Sequence, residues 1–460
     1  MRTLVAFMKL NSILGNIKLF STLRARQHFS AANTIARYTV YCKAPVKGKM
    51  ETTEHIPDIY TSVKPVLRIS KVFGLTPFVI SKKSTCRSNI LRCRLLKKFL
   101  LLMMTAGLIS STCYTVHLFL QSPSNIPEKI KITFFLNDIF LKLTNVTILI
   151  MKVYFNKRDI IIIFRKLKNV DKIIDRRSRI DIHTRTRLFL LRQKIVLIFV
   201  LMLSYSCNYY VTYKEERTSV LQTTVDNLCY TINIFMVLQY VTLVRMVSQR
   251  YKYVNNRIKE YSETESTVRT SLKTYRNSIS VNTFCNEKCD LPNLTSPHVK
   301  SEVCAIPILR LAYIDLYDTV TLINSHFGFP ILLLIISLMI ICVTAFYFGL
   351  YSFGSISDKH LKTCMLVFWT LWYAVPFAWL IVSCDNTMQE ANRGIVYIQR
   401  TTACPNMKYG TQLQLQTLSN QLRDMRIEFT ACGFFVLNLP LLGTIVCGIL
   451  TYILIMIQLE

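Results

Sequence analysis

Long apolar segments alternate with strongly basic connections along the chain. A helix needs ~20 mostly apolar residues to cross a ~30 Å hydrocarbon core. Segments of about that length can be drawn at residues 99–120, 132–154, 195–212, 228–244, 327–351, 363–384 and 439–459. The pattern therefore predicts an all-α fold, a polytopic membrane protein with seven transmembrane helices.

Two of the seven segments depart from a plain apolar helix. The second contains Asp138, Lys142 and Lys152. The seventh lies within Phe429–Leu459, which is longer than one crossing, and Pro440 removes a backbone donor there and should kink or break the helix. We expect residues 439–459 to cross the membrane and the preceding stretch to lie below the bilayer, buried in protein.

The connections between segments predict the orientation. Thirteen basic residues lie between the second and third segments, and the connection between the fourth and fifth is also basic. The connections between the third and fourth and between the fifth and sixth carry few net positive charges. Basic connections stay in the cytoplasm. The N-terminus is therefore predicted to be cytoplasmic and the C-terminus extracellular, opposite to a G-protein-coupled receptor.

Residues 1–49 differ from the predicted seven-span domain, residues 50–460. They contain nine basic residues and no acidic one, and Arg24–Ala32 resembles a mitochondrial transit peptide. A multi-span membrane protein with this predicted orientation has no use for such a peptide. The favoured interpretations are an artefact of the gene model, with Met50 as the real start, or a basic cytoplasmic extension.

Composition excludes several classes of protein. The chain has 460 residues, of which 51% are hydrophobic and 18% charged, whereas a soluble domain carries about a quarter charged residues. Its net charge of +30 is distributed between apolar segments, which argues against a nucleic-acid surface. No nucleophile–base constellation or glycine-rich phosphate loop is present. We therefore expect neither an enzyme nor a cofactor.

One cysteine cluster raises the question of a metal. Cys285 and Cys289, with Cys304, have a spacing that could hold zinc. His298 lies in a segment without periodicity and makes a poor fourth ligand. A reduced pair in the cytoplasm is the preferred interpretation, so no metal is predicted.

Three connecting segments have their own patterns. Asp159–Asp181 alternates apolar and basic residues, which fits a continuation of the second helix or a membrane-surface helix attracted to anionic lipid. Gln412–Glu428 is typical of an amphipathic cytoplasmic helix. Thr267–His298 lacks periodicity and is predicted to be disordered.

The last segment carries a polar stripe. Thr444, Thr451 and Gln458 are seven residues apart, so they drift only about 20° per step around an α-helix and share one face. Lipid cannot satisfy such a stripe, which must therefore face protein or water. The two interpretations are a pore-lining face and a polar seam buried against a neighbouring helix.

The same residues carry a resemblance to a known family. Thr451-Tyr452, five apolar residues, Gln458 and Leu459 are similar to the C-terminal signature of insect gustatory receptors, although that family usually has Phe at the position of Leu459. Further family-like segments are Asp58–Pro65 with Gly74–Phe78, Leu322–Gly328, and Cys384–Gly394, which resembles the loop before the last helix.

The resemblance implies a ligand-gated non-selective cation channel in the plasma membrane of sensory neurons. Its ligand would be a small-molecule tastant, and four copies, of this chain alone or with related receptors, would surround one pore. The implied pore residues are Thr444, Thr451, Ile455, Gln458 and Leu459. Gln458 would offer its carbonyl to cations near the outer mouth, and Ile455 and Leu459 would form a hydrophobic constriction.

The resemblance also places a ligand cup in the outer half of the second to sixth spans. The polar and aromatic candidates there are Asp138, Tyr205, Tyr209, Tyr230, Tyr347, Trp369, Trp372 and Tyr373. An internal ion pair of Asp138 with Lys142 is the preferred alternative at that position. Each aromatic residue can equally be core or interfacial. The residue types do not separate sugars, bitter compounds, carbon dioxide and internal metabolites as ligands.

Two other classes of protein remain as alternatives. A metabotropic receptor would require the opposite topology, and the chain lacks an Asp-Arg-Tyr triplet after the third span and Asn-Pro-x-x-Tyr in the seventh. A transporter would tend to show internal repeats with broken helices in both halves, and only the seventh span looks broken.

Overall fold

The computed structural model describes residues 87–121, 128–154, 159–215, 220–281, 305–352, 359–402 and 409–458, together with Ile59, Ser62 and Val63. Near several helix ends it describes the backbone alone. All of these residues belong to one unit, Pro57–Glu460. The basic N-terminal segment and the cluster of Cys285, Cys289 and Cys304 lie outside the described residues.

The described part of the chain is almost entirely helical, which confirms the all-α prediction. Its helices are α1 (Arg87–Gln121), α2 (Glu128–Tyr154), α3 (Asp159–Ile173), α4 (Arg176–Glu215), α5 (Val220–Val281), α6 (Ala305–Ser352), α7 (Lys359–Thr402), α8 (Tyr409–Asp424) and α9 (Leu439–Gln458). Between α8 and α9 lies a small antiparallel hairpin of β1 (Thr430–Ala431) and β2 (Phe435–Val436).

The predicted spans lie within α1, α2, α4, α5, α6, α7 and α9, apart from Leu459, which lies outside the described residues. Among the described residues, three stretches are long and apolar enough to cross a membrane by length and composition: Arg177–Tyr210, Val220–Glu260 and Ile306–Thr344. Leu439–Ile455 is a shorter apolar helix. The spans predicted in α1, α2 and α7 are not in this set, and α2 carries the ionisable residues that weaken its apolar character.

Several helices are longer than their spans. α5 has 62 residues and so measures about 93 Å, three times the thickness of the hydrocarbon core. The prediction of disorder from Thr267 is therefore wrong as far as Val281, and the remainder to His298 lies outside the described residues. Because extending an existing helix is much easier than nucleating one, a polar segment can continue it without an apolar period.

α7 also continues beyond its span. Residues 384–394, which resembled a loop, are helical, so that prediction is wrong. The Asn255 side-chain amide of α5 donates to the Glu390 backbone carbonyl of α7 at 2.6 Å, and Tyr313 of α6 donates to the Asn255 carbonyl oxygen. Gly394 sits against Tyr313, where a Cβ would collide with the phenol oxygen. These contacts hold the three helices together beyond their apolar segments.

α3 packs on α6. Its apolar side chains Ile160, Ile163, Phe164, Leu167 and Val170 are buried. Lys166 donates to Asp315 at 3.1 Å and to Asp318 at 2.8 Å on α6. Burial opposes the charge, but the bonds and charges of Asp318 and Asp315 outweigh it and raise the pKa of Lys166. The membrane-surface interpretation is therefore wrong, because α6 covers the apolar face that lipid would have covered.

A buried ion pair fixes α3 to α5. The Arg250 Nε and Nη2 atoms donate to the two Asp171 carboxylate oxygens at 2.9 and 2.8 Å, and Arg250 Nη1 donates to the Met246 carbonyl at 2.7 Å. Arg250 is 1% exposed and Asp171 5%. His183 of α4 lies 3.6 Å from the same carboxylate. Three helices therefore converge on one buried carboxylate.

The predicted amphipathic helix before the last span is confirmed as α8, although the helix ends at Asp424 and not at Glu428. Leu415, Leu418 and Leu422 are buried on one side, whereas Leu413 is exposed. In the hairpin that follows, Cys432 and Gly433 both have positive φ, 53° and 79°, and Phe434 N donates to the Ala431 carbonyl at 3.0 Å. Asn438 caps α9 by accepting from Leu441 N at 3.2 Å. Pro440 thus lies in the first turn of α9, where its missing donor costs nothing.

Candidate ligand pocket and last helix

A pocket opens between α5, α6 and α7 at the middle of their apolar segments. It encloses about 480 Å³, including its open mouth. Its wall is mainly aliphatic and aromatic, with lining residues Tyr230, Asn233, Ile234, Val237, Leu334, Ser337, Leu338, Ile341, Trp372, Pro376 and Phe377. Small-molecule sites are typically apolar clefts with a few polar groups.

Helical spacing builds the walls of this pocket. On α5 the lining positions recur at Tyr230, Asn233 and Val237, and on α6 at Leu334, Ser337 and Ile341. Residues three and four apart lie on one helix face, so each helix contributes a single stripe. On α7, Pro376 supplies no backbone donor for the carbonyl one turn earlier, so the helix wall there also offers a backbone acceptor.

Two polar atoms in the wall have no hydrogen-bond partner among the described residues. They are the Asn233 carbonyl oxygen and the Trp372 indole nitrogen, one acceptor and one donor. The Ser337 hydroxyl, by contrast, shares a hydrogen bond of 3.1 Å with Thr144 of α2. Because buried polar groups are normally paired, an unpaired donor and acceptor in one apolar pocket are suited to a polar ligand group.

The structure distributes the predicted ligand residues among several places. Tyr230 and Trp372 line the pocket. The side chains of Tyr347, Trp369 and Tyr373 lie outside those that the structure describes. The sequence prediction missed Asn233, Ser337 and Phe377, although Asn233 interrupts an apolar span, which is itself a signal of function.

Asp138 lies in a polar cluster between α1, α2 and α5 instead of the pocket. Its carboxylate is 2.6 Å from Lys142 Nζ and accepts from Thr115 at 2.6 Å and from Gln222 at 3.3 Å. Lys142 is fully buried and lies 3.6 Å from Asp226. This geometry agrees with the ion-pair interpretation of Asp138.

The two tyrosines of α4 join that helix to α5. Tyr205 OH bonds Thr231 at 2.5 Å and the Asn227 carbonyl at 3.2 Å. Tyr209 OH bonds Thr224 at 3.0 Å and its side chain is partly open to the outside. Neither residue lines the pocket. Both hydroxyls are satisfied within the protein, so their role in this structure is helix packing.

The polar stripe on α9 is exposed. α9 packs against the rest of the chain through Ile445 and Ile449, which are 8% and 9% exposed. Thr444, Thr451 and Gln458 are all exposed on this single chain, as is Ile455. No helix in the described part of this chain covers the stripe. Leu459 lies outside the described residues.

A junction connects α6 to the hairpin that leads into α9. The Asn324 side chain donates to the Glu428 carbonyl at 2.6 Å and accepts from Thr430 N at 3.2 Å. One turn later, Gly328 touches the hairpin so closely that a Cβ there would lie 2.9 Å from Cys432 N. Asn324 and Gly328 therefore hold the backbone before α9 against α6.

Aromatic rings fill the space behind this junction. Tyr240 of α5 lies with its ring centre 5.4 Å from that of Phe327 and 6.3 Å from that of Phe429, which precedes β1. Tyr240 also contacts Cys384 Sγ at 3.6 Å. The pocket residues Val237 and Leu334 are one and two turns from Tyr240 and Phe327 on the same helices. The pocket wall therefore continues directly into the junction.

Among the described residues, no group of three or more His, Cys, Asp or Glu side chains is arranged to hold a metal ion. The candidate functional features of the described residues are the pocket, the junction and the exposed stripe. All three are built from uncharged groups, which suits a neutral or weakly polar ligand and a conformational response.

Comparisons with known proteins give a consistent result. The olfactory receptor OR5 from Machilis hrabei has the same fold in its complex with eugenol, with a TM-score of 0.60 and 13% identity over 86% of this chain and 98% of that chain. The structure of that receptor described without eugenol has a TM-score of 0.57 at the same identity and coverage. No curated protein sequence matches. The sequence model of the seven-transmembrane chemosensory receptors matches residues 63–460. This match confirms the resemblance inferred from the motifs, and the chain belongs to the seven-transmembrane chemosensory receptor family.

Proposed function

We propose that the protein is a gustatory receptor that acts as a ligand-gated, non-selective cation channel. A small tastant binds in the pocket of α5, α6 and α7, and α9 lines the pore. The observation that carries this proposal is the exposed polar stripe on an otherwise apolar helix. The C-terminal signature that resembles gustatory receptors supports the taste subtype.

The stripe argues for water on one side of α9. Thr444 and Thr451 donate to backbone carbonyls one turn earlier, at 3.2 and 2.9 Å, so lipid could tolerate their hydroxyls. Gln458 has no partner among the described residues, and its amide would be costly in hydrocarbon. A face that ends in an unpaired amide is suited to an aqueous lumen shared between copies of the chain.

A lumen requires several copies, since one helix encloses nothing. Four copies of this chain, or of this chain with related receptors, would place four such stripes around one axis. The amide carbonyls then partly replace the hydration water of a cation, and Ile455 with Leu459 forms the constriction that closes the pore by dewetting. The stripe carries no fixed charge, which favours weak discrimination among cations.

The pocket suits a compact ligand with an apolar body and one or two hydrogen-bonding groups. Tyr230 and Trp372 offer aromatic faces, and Asn233 offers an acceptor. The Machilis receptor binds eugenol, a ligand of this kind. Ligand in the pocket shifts α5 and α6, and the junction passes the shift to α9. The ligand opens the pore only to the extent that it binds the open state more tightly than the closed state.

Removing the indole of Trp372 should weaken the response to ligand. In cells expressing the receptor, a panel of sucrose, caffeine, quinine and eugenol identifies an agonist by its evoked current. We expect Trp372→Ala to raise the half-maximal concentration of that agonist at least about tenfold, or about 1.4 kcal/mol, since it removes an aromatic wall and the unpaired donor. Tyr209→Phe, outside the pocket, is the matched control. An equal shift in both variants, or no shift in Trp372→Ala, would exclude this pocket as the site.

Changing the stripe should alter permeation and leave ligand sensitivity in place. We expect Gln458→Ala to change single-channel conductance or the sodium-to-potassium permeability ratio about twofold or more, because the carbonyls that replace hydration water are lost. Leu450→Ala, at an exposed position off the stripe, should leave both quantities unchanged.

Purified receptor in planar bilayers separates a channel from a metabotropic receptor. Ligand-evoked current in a bilayer without G proteins supports the channel. If the purified protein binds the agonist but conducts no current, the channel proposal fails while the pocket assignment survives.

A further inference from the structure

Basic residues lie where α4 and α5 leave the apolar part of the membrane. Arg245 directly follows the apolar segment 228–244 of α5, and Lys194 directly precedes the segment 195–212 of α4. The basic connections put this end of both helices in the cytoplasm. Both residues therefore lie at the level of the headgroups of the inner leaflet.

Arg245 is held in place without an anionic partner. Its guanidinium lies over the ring of Phe189 of α4, with Cζ 3.5 Å from the ring centre. The ring centre of Trp379 of α7 lies 6.3 Å from that of Phe189. Arg245 is exposed and makes no hydrogen bond or ion pair among the described residues. A stacked guanidinium keeps its in-plane N–H donors free and pre-oriented.

Further cations lie beside this stack on α4. Arg192 is three residues after Phe189, so it shares the same helix face, and it is exposed. Arg187 is also exposed, one turn deeper in the cytoplasm. Like Arg245, Arg187, Arg192 and Lys194 make no ion pair with any described residue.

The acidic groups of this region are already engaged. Asp171 is paired with Arg250, Asp175 with Arg257 at 2.5 Å, and Asp181 with Arg185 at 2.9 Å. The protein therefore leaves Arg187, Arg192, Lys194 and Arg245 without internal neutralisation. Their position at the edge of two apolar spans brings them within reach of lipid phosphates and not only of the open cytoplasm.

We infer that Arg245 and Arg192 form a binding site for the headgroup of an anionic phospholipid in the inner leaflet. The stacked Arg245 binds phosphate oxygens through paired N–H donors, and Arg192 adds positive charge on the helix face of the stack. The acyl chains lie along the exposed apolar side chains of α4, among them Ile195, Phe199 and Met202. The site requires only membrane insertion with this end in the cytoplasm, and is independent of the channel proposal.

Lipid binding to the purified full-length receptor tests the inference. The receptor in neutral detergent is titrated with dioleoyl phosphatidylserine or dioleoyl phosphatidylcholine, and bound lipid is counted by native mass spectrometry alongside the melting temperature. We expect phosphatidylserine to bind at least about fivefold more tightly and to raise the melting temperature. Arg245→Gln should reduce that affinity about five- to tenfold.

Three further variants separate a built site from diffuse charge. Arg177→Gln removes an equally exposed charge in the first turn of α4, about 27 Å before Ile195, and should leave binding unchanged. Phe189→Leu keeps every charge but removes the aromatic ring on which Arg245 stacks, and should weaken lipid binding. Arg245→Lys should bind at an intermediate level if folding is intact. Equal losses in Arg245→Gln and Arg177→Gln, or equal binding of the two lipids, would overturn the inference.

Discussion

Replacing Asp171 by asparagine should sharply reduce the amount of folded receptor that can be extracted from membranes. The carboxylate accepts two bonds from Arg250, and both side chains are buried. Asparagine leaves the guanidinium buried without a counter-charge, which costs about 3–5 kcal/mol. Since a whole domain is stable by only about 5–15 kcal/mol, this single change approaches the limit of stability.

The yield of monodisperse receptor and its melting temperature measure this effect. Asp175→Asn is the matched control, because it breaks the ion pair of Asp175 with Arg257. Both side chains of that pair are roughly half exposed, and such a pair contributes about 0–1 kcal/mol. The double change Asp171→Leu with Arg250→Met should recover much of the lost stability, since it removes both charges together. If Asp171→Asn melts within a degree or two of Asp175→Asn, the buried pair does not support the fold as described.

The sequence predicted the helices well because their apolar segments must be continuous to cross a membrane. The described residues of every predicted span lie inside a helix, and Pro440 correctly marks the start of α9. Helix ends were predicted poorly. Nothing local distinguishes a polar stretch that continues a helix, such as residues 267–281 of α5, from one that ends it, because tertiary contacts beyond the span decide the outcome.

The candidate site was only partly predictable for a related reason. Tyr230 and Trp372 could be selected as aromatic residues within spans, but so could Tyr205 and Tyr209, which bond to α5 instead. The difference depends on the rotation of each helix about its axis, which depends on packing partners distant in sequence. Asp138 shows the converse case, because its partner one turn away was visible in the sequence.

The contact between α6 and the hairpin before α9 could not be predicted, although two of its residues lie within a recognised motif. The segment Leu322–Gly328 includes both Asn324 and Gly328. Its role becomes apparent only when α6 meets the hairpin, about 100 residues later in the chain, where Asn324 bonds two backbone groups of residues 428–430. Motif residues that hold backbone rather than ligand are expected to govern the transmission of movement.

Adding a single methyl group at Gly328 should therefore weaken the coupling between pocket and pore. The new Cβ would lie 2.9 Å from Cys432 N and 3.4 Å from Cys432 Cα, and backbone atoms cannot turn aside as a side chain can. Such overpacking costs about 1–3 kcal/mol. If the contact is the same in the open and closed states, the cost appears in stability alone. If α9 moves relative to α6, the cost falls unequally on the two states and shifts gating.

Agonist-evoked current and radiolabelled agonist binding distinguish these cases. We expect Gly328→Ala to change the maximal current per surface receptor about fivefold or more, with the binding affinity of the pocket altered far less. Gly107→Ala is the matched control, because Gly107 is also helical and a Cβ there meets nothing within 4 Å. Asn324→Ala, which unpairs the Glu428 carbonyl and the Thr430 amide, should also uncouple binding from current without adding bulk. Since one variant pushes the hairpin away and the other releases it, agreement between them would assign the coupling to this contact. Currents that fall only in proportion to surface expression would instead mean that the junction supports the fold without transmitting the signal.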